Sequence, residues 1–356
     1  MELSTLDKFA GLVALNGTLD SDSEEELQRI LVDAVQQKMK NIVLNFLPVN
    51  HMNSSGTSVL VKLVESAKRQ KMKLHAFGLN KPYQEIFNLI GISEGITILS
   101  ETADELGRLA SAELQKIEDV STGEGKQDDK GWAQNIKRLR VLEKPERAMN
   151  RNVDRRRVIG PLQGFGPMWQ KTYLLTIDKA GLQPHDVIKI MKEHLPELQP
   201  TQNKFYPSSQ GIAAGEIVLI DSSTPGGIVS TGVLVLYADD SSFTLMTPQG
   251  HPEAGWVTFS ARTRGDVIEM QIQGLARAAD PFYELAFRIA GSKFQETIWK
   301  HVLSSLASYL GVEASVRMAK TCVGADMQWA KTGNLWYNAQ IRSLPYNIPH
   351  LFSRRR

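Results

Sequence analysis

The feature that most constrains the fold is the alternation of short apolar runs with helical patterns in the first third of the chain. The apolar runs are typical of strands, and the segments between them carry apolar residues at spacings of three and four. Strand–helix–strand alternation predicts an α/β domain, with helices packed on a mainly parallel sheet. The predicted strands are residues 11–19, 41–47, 73–78 and 96–99, and the predicted helices begin near Ser21 or Ser23, near Ser54, at Pro82 and at Ala103.

Residues 159–356 follow a different pattern. Several short apolar runs are separated by turns such as 239–242 and 264–266, which predicts an antiparallel meander. A helical pattern then extends from Pro281 to about Tyr309, interrupted only by Gly291. An antiparallel sheet followed by one long amphipathic helix is an α+β arrangement.

The length of the chain, 356 residues, exceeds that of one ordinary domain. We predict a first domain over residues 1–112, a charged linker over 113–158, and a second domain with a C-terminal extension over 159–356. Residues 121–131 of the linker are rich in Gly, Asp and Lys, so we expect them to be mobile. The basic segment 137–157 is interpreted either as a solvated arm or interdomain strap, or as an electrostatic dock for a phosphate-rich surface.

Charge and composition exclude several classes of function. The net charge is +2, which gives no general attraction to nucleic acid or membranes. The single cysteine, Cys322, cannot form an intrachain disulfide, and the first residues do not form an export signal, so we expect a cytoplasmic protein. No run of about 18 apolar residues predicts a membrane span. The histidines show no metal-ligand spacing, and no motif calls for a cofactor.

The first motif is the sequence from Met52 to Gly56, Met-Asn-Ser-Ser-Gly, between a predicted buried strand and a helix. Asn and Ser are good helix N-caps because their side-chain oxygens accept bonds from free helix N–H groups. The alternative is a phosphoacceptor serine, since a phosphate at a helix N-terminus is favoured by those same N–H groups and by the helix dipole.

The order of these elements resembles the STAS domain of bacterial anti-sigma-factor antagonists. The resemblance covers about residues 8–110 and rests on residues 17–20, 42–46, 52–56 and 87–92. It implies that Ser54, beside Ser55 and Gly56, is the phosphorylation site, and that the partner is an anti-sigma-type serine kinase or a similar STAS-binding protein. The family carries an acidic residue where this chain has Asn53. The replacement removes a negative charge beside the phosphoacceptor serine.

The second motif is the sequence 250–255, Gly-His-Pro-Glu-Ala-Gly, between two predicted strands. Pro252 and the glycines are typical of a β-turn with exposed His251 and Glu253. The alternative is a general-base His251 paired with Glu253. No nucleophile or metal set accompanies this pair.

Residues 160–315 resemble an uncharacterised bacterial and plant family with a Gly-His-Pro-Glu turn, similar to the helix-grip superfamily of START and birch-pollen-allergen-like proteins. The resemblance implies a cavity between the sheet and the long helix that holds a lipid or another apolar small molecule. We expect Leu285, Ile289 and Ile298 to line it. The segment with Phe165 and Trp169 either packs these rings on the sheet or forms a lid over the cavity.

Together these patterns predict a regulatory protein of the anti-sigma-factor antagonist type, not an enzyme. Its first domain docks a protein partner under serine phosphorylation control, and its second domain binds an apolar small molecule. Two alternatives stay open. One is a hydrolase or cyclase that uses the second domain's cavity, and the other is a non-catalytic scaffold.

Overall fold

The chain forms two compact units, Met1–Lys130 and Gly131–Arg356. The computed structural model describes residues 1–7, 9–99, 127–134, 136–178, 181–224, 227–313 and 315–345. The helix predicted over 103–109 and most of the predicted mobile segment 121–131 lie outside these residues. The predicted linker bounds of 113 and 158 stay a prediction. None of the described helices is both long and apolar enough to cross a membrane.

The first unit is an α/β sandwich, as predicted. Its five-stranded sheet has the order β1-β2-β4-β6-β7, in which β1 is antiparallel to β2 and the other neighbours are parallel. Two short strands, β3 and β5, pair separately and in parallel. The elements are β1 Glu2–Asp7, β2 Ala10–Ala14, β3 Gly17–Leu19, α1 Ser23–Gln36, β4 Asn41–Asn45, β5 Val49–Met52, α2 Ser54–Arg69, β6 Lys73–Phe77, α3 Lys81–Ile90 and β7 Ile96–Ile98.

The core of the first unit lies between the parallel strands and the helices. Phe46 and Phe87 meet edge to face with ring centroids 5.7 Å apart, and both are fully buried. Helix α3 ends at Gly91, whose φ of 80° lies in the left-handed region that glycine adopts most readily. This end allows the chain to return to the sheet through a 3-10 turn and β7.

The second unit is built on an eight-stranded sheet, which confirms the predicted antiparallel meander. Its order is β15-β8-β14-β13-β12-β11-β10-β9, and all neighbours are antiparallel. The helix-grip assignment stays a prediction. The elements are β8 Met168–Ile177, α4 Pro184–His194, β9 Asn203–Tyr206, β10 Ile217–Thr224, β11 Gly227–Ala238, β12 Ser242–Met246, β13 Glu253–Arg264, β14 Val267–Ala278, α5 Pro281–Ala286, α6 Ser292–Leu310 and β15 Val316–Gly324.

One face of this sheet packs against α4 and α6, and we call it the inner face. Phe243 and Phe259 stack there at 4.4 Å, and Trp299 of α6 meets Phe259 edge to face at 5.6 Å. Val302 and Leu306 of α6 are fully buried in the same cluster. This part of the predicted cavity is therefore a filled apolar core.

The start of the long helical segment differs from the prediction. Leu285 is 60% exposed and Ile289 is 77% exposed, so neither lines the inner face, whereas Ile298 is buried. Even in an uninterrupted α-helix, at about 100° per residue, the nine positions from Ile289 to Ile298 would turn by about 180°, so one face would not hold both side chains. A π-helical turn, Phe287–Gly291, also interrupts the α-helical period.

The segment 131–158, predicted as part of the linker, packs on the second unit. It forms no helix or extended strand in its described residues, but Trp132, Leu139 and Val153 are buried. Trp132 meets Tyr237 of β11 with ring centroids 5.0 Å apart. The basic residues of this segment are therefore carried on a backbone that is anchored by apolar side chains.

Candidate functional site

The serine turn, residues 53–56, lies between β5 and α2 in the first unit. Asn53 has an extended backbone, and its side-chain oxygen accepts hydrogen bonds from the N–H groups of Ser55, at 3.0 Å, and Gly56, at 3.1 Å. Asn53 is therefore the N-cap of α2. The first turn of α2 contains no acidic residue, so its dipole and remaining N–H groups favour an added phosphate.

The two serines of the turn differ in accessibility. The Ser54 side chain is fully buried, and its carbonyl oxygen accepts bonds from the hydroxyls of Thr57, at 2.7 Å, and Ser58, at 3.3 Å. Ser55 is partly exposed. A kinase would therefore reach the Ser55 hydroxyl more readily, and phosphorylation of Ser54 stays a prediction that requires the turn to open.

Gly56 holds the serine turn close to the neighbouring strand. A Cβ atom at this position would overlap the backbone oxygen of Leu19 in β3. The same Leu19 oxygen accepts a bond from the Asn53 N–H at 3.3 Å. Only glycine fits this approach without moving β3 or the start of α2.

A buried tyrosine links the serine turn to residues 127–130. The Tyr83 hydroxyl accepts a bond from the Met52 N–H at 2.8 Å and donates one to the Asp128 carbonyl at 2.6 Å. Burial raises the pKa of Tyr83 to about 12, so the hydroxyl keeps its proton. The side-chain amide of Gln127 donates to the carbonyls of Phe46 and Gly78 at 2.7 and 2.8 Å. Sequence reasoning missed Tyr83 and Gln127.

The second motif forms a partly buried turn, so the prediction of an exposed His251 and Glu253 is wrong. Nδ1 of His251 accepts from the Glu253 N–H at 3.1 Å in one tautomer of the ring, and it donates to the Glu253 carbonyl oxygen at 3.2 Å in the other. Burial lowers the pKa of His251 to about 4, although the contact with the Glu253 backbone opposes this. The Pro252 carbonyl accepts a bond from the Ala279 N–H at 3.0 Å.

The Glu253 carboxyl group points to a different partner. It accepts a hydrogen bond from the Gln295 side chain at 2.6 Å. Burial raises the pKa of this carboxyl, and the nearby Lys171 ammonium partly offsets the shift. The structure therefore does not bring the His251 ring and the Glu253 carboxyl together as an acid–base pair.

Polar side chains gather around Lys171 at one end of the inner face. Lys171 on β8 donates to the Gln295 side-chain oxygen at 2.6 Å and lies 3.9 Å from the Glu296 carboxylate. We call Lys171, Tyr173, Glu253, Gln295 and Glu296 the Lys171 cluster. Burial lowers the pKa of Lys171, and the two carboxylates oppose that shift.

Phe165 and Trp169 do not come together as a lid. Phe165 is buried and meets Trp329 edge to face at 5.3 Å. Trp169 is 36% exposed, and the Lys320 ammonium lies 4.3 Å from its ring centroid. Phe165 is therefore a packing residue, and Trp169 belongs to the edge formed by β8 and β15. In the part of the chain that the structure describes, no group of three or more His, Cys, Asp or Glu residues is arranged to hold a metal ion.

Comparison with known proteins gives a family match within the first unit. Residues 2–106 match the family model described as the STAS domain. The anti-sigma-B factor antagonists of Staphylococcus aureus strains NCTC 8325 / PS 47 and COL are each 26% identical to this chain over 94 residues, which covers 26% of this chain and 86% of each relative.

Solved structures show weaker global similarity. The anti-sigma factor antagonist SpoIIAA in its unphosphorylated form has a TM-score of 0.26 and 18% identity, and the match covers 30% of this chain and 96% of SpoIIAA. The di-domain ARO/CYC protein StfQ from the steffimycin biosynthetic pathway has a TM-score of 0.33 and 12% identity, with 41% of this chain and 53% of StfQ covered. The family match and the Staphylococcus relatives show that the N-terminal unit is a STAS domain similar to anti-sigma-factor antagonists.

Proposed function

We propose that this chain is a regulatory protein whose STAS domain docks a protein partner, such as an anti-sigma-type serine kinase. The match of residues 2–106 to the STAS family carries this proposal. The matched relatives are anti-sigma-factor antagonists, and the serine turn supplies a place where docking can be controlled.

We propose that phosphorylation in the serine turn releases the partner. The phosphate would lie at the N-terminus of α2, where the first turn carries no negative side chain that would repel it. Ser55 is the more accessible of the two hydroxyls, and Ser54 is the serine that the resemblance implies. Both positions therefore enter the test.

The test uses the full chain, ATP and a purified anti-sigma-type serine kinase, followed by phosphopeptide mapping. We expect Ser55→Ala to abolish phosphate incorporation and Ser54→Ala to retain it. Ser55→Asp should weaken partner binding in a titration, whereas Ser55→Ala should not. Phosphate on Ser54 alone would mean that the turn opens before phosphorylation, and phosphate at neither serine would contradict phosphorylation control.

The replacement of the family acid by Asn53 has a separate test. Asn53→Asp would keep the N-cap and add a negative charge beside both hydroxyls. If that charge matters for the kinase, the phosphorylation rate of the variant will differ from that of the natural chain. An unchanged rate would show that Asn53 replaces the acid without consequence.

We also propose that the second unit binds an apolar small molecule at the inner face of its sheet. The filled core around Phe259 excludes such a ligand from the far end of α6, so the proposed place is the other end, beside Gly274. A Cβ atom added at Gly274 would have no atom within 4 Å, apart from its chain neighbours. Native mass spectrometry of the purified full chain should show a retained small molecule, and a scaffold would show none. A hydrolase or cyclase has less support because His251 and Glu253 are not paired.

A further inference from the structure

The Lys171 cluster is a polar group within an otherwise apolar sheet–helix interface. Lys171 and Tyr173 lie two residues apart on β8, so both side chains point to the inner face. Gln295 and Glu296 reach the same place from α6, immediately after the π-helical turn that precedes this helix. Such turns often occur at functional sites.

Tyr173 contributes a buried hydroxyl without a partner. Its side chain is 0% exposed, and among the described residues no group hydrogen-bonds its Oη atom. Burial raises the pKa of this hydroxyl, and the carboxyl groups of Glu296 and Glu253 raise it further, so it stays protonated. Leaving a buried hydroxyl unpaired destabilises a fold, so its presence here calls for an explanation, and a bound molecule that completes the hydrogen bond is one.

Open space lies beside Gly274, on the strand next to β8. Gly274 on β14 pairs with Lys171 on one side and with Val257 of β13 on the other. It follows Ile272, the cross-strand partner of Tyr173, by two positions and shares its face. Because Gly274 has no side chain, and a Cβ there would meet nothing within 4 Å, the inner face has room beside the cluster.

We propose that the Lys171 cluster is a subsite that binds the carbonyl oxygen of a neutral, otherwise apolar molecule. This inference rests on the proposed ligand binding by the second unit and adds the polar chemistry of the ligand. Tyr173 O–H and the remaining N–H of Lys171 supply two donors for one acceptor. The carboxyl groups of Glu253 and Glu296 disfavour an anionic acceptor, whereas Ile272 and Val257 provide apolar contact.

The test compares two probes of the same shape, the two-ring ketone 1-tetralone and the hydrocarbon tetralin, by calorimetry on the full chain. We expect 1-tetralone to bind the natural chain more tightly than tetralin. Tyr173→Phe should weaken binding of 1-tetralone about tenfold and leave binding of tetralin unchanged. It should not lower the melting temperature of the free protein, because the lost hydroxyl has no partner there.

A matched control is Tyr237→Phe on β11, where the hydroxyl donates to Asp239 at 2.5 Å. That variant should melt at a lower temperature and bind both probes as the natural chain does. Equal affinity for the two probes, or a ketone preference that survives in Tyr173→Phe, would overturn the carbonyl subsite and leave apolar binding intact. If neither probe binds the natural chain, both the subsite and the proposed ligand binding are wrong.

Discussion

His251 makes a measurable prediction about the pH dependence of stability. In the folded chain its ring is neutral, because burial lowers its pKa from the ordinary 6.5 to about 4. In the unfolded chain the ring takes up a proton as the pH falls through 6.5. The unfolded state therefore binds more protons between these two values, and acid destabilises the fold over this range.

The magnitude follows from the two pKa values. Between pH 7 and about pH 4.5, His251 alone should remove about 2 kcal/mol from the free energy of unfolding. For a unit of this size that loss lowers the melting temperature by about 4–8 °C. Buried carboxyls such as Glu253 act in the opposite direction, because their raised pKa values let the folded state hold protons. The His251 contribution must therefore be measured as a difference between variants.

The variant for this measurement is His251→Asn. An Asn side-chain oxygen can accept the Glu253 N–H that Nδ1 accepts in the natural chain, without taking up a proton. Thermal unfolding of both proteins at pH 7 and 4.5 should show a smaller acid-induced loss in the variant. NMR titration of the His251 ring in the natural chain measures the pKa directly, even if the variant folds poorly. A ring that titrates near 6.5, or equal acid sensitivity of the two proteins, would refute the reasoning.

Two further predictions concern the serine turn. Gly56→Ala should destabilise the first unit by about 1–3 kcal/mol in urea unfolding because its Cβ meets the Leu19 backbone; the neighbouring Ser55→Ala serves as the control and should change stability little, and equal effects would contradict the clash. Tyr83→Phe should cost about 1–3 kcal/mol, since it removes the hydrogen bonds of the hydroxyl to the Met52 N–H and to the Asp128 carbonyl, although His51 Nδ1 still contacts that carbonyl at 2.9 Å. Hydrogen exchange at the Met52 amide should accelerate, and unchanged exchange would show that the bond does not hold the turn.

The strand–helix alternation of the first unit was predictable because each element buries one face, and the apolar residues of that face recur at a regular spacing in its own sequence. Strand β1, Glu2–Asp7, was missed because its sequence is mostly polar and because it lies at the sheet edge beside β2. The edge strands β9 and β15 of the second unit were missed for the same reason: most of β15 is exposed, and its sequence lacks a continuous apolar run. Native edge strands often carry charged or polar side chains, which hide the apolar pattern of a strand.

In the candidate sites, contacts between residues close in sequence were predictable, and contacts between distant residues were not. The Asn53 cap was predictable because it binds N–H groups only two and three residues away. The Tyr83 hydroxyl accepts a hydrogen bond from the N–H of Met52, which is 31 residues away in the sequence. Lys171 donates to Gln295, which is 124 residues away. No local pattern marks such partners, and only the packing of the sheet against its helices brings them together.

The long helical segment shows why an apolar residue at a helical position does not by itself indicate a core residue. Leu285 and Ile289 are four residues apart and share one face, and that face is exposed. Ile298, Val302 and Leu306 also recur at spacings of four, and they form the buried face of α6. The π-helical turn, Phe287–Gly291, contains Ile289 and breaks the α-helical period before the second group begins. The buried face therefore begins after this turn, beside Gln295 and Glu296, where the apolar core gives way to the Lys171 cluster.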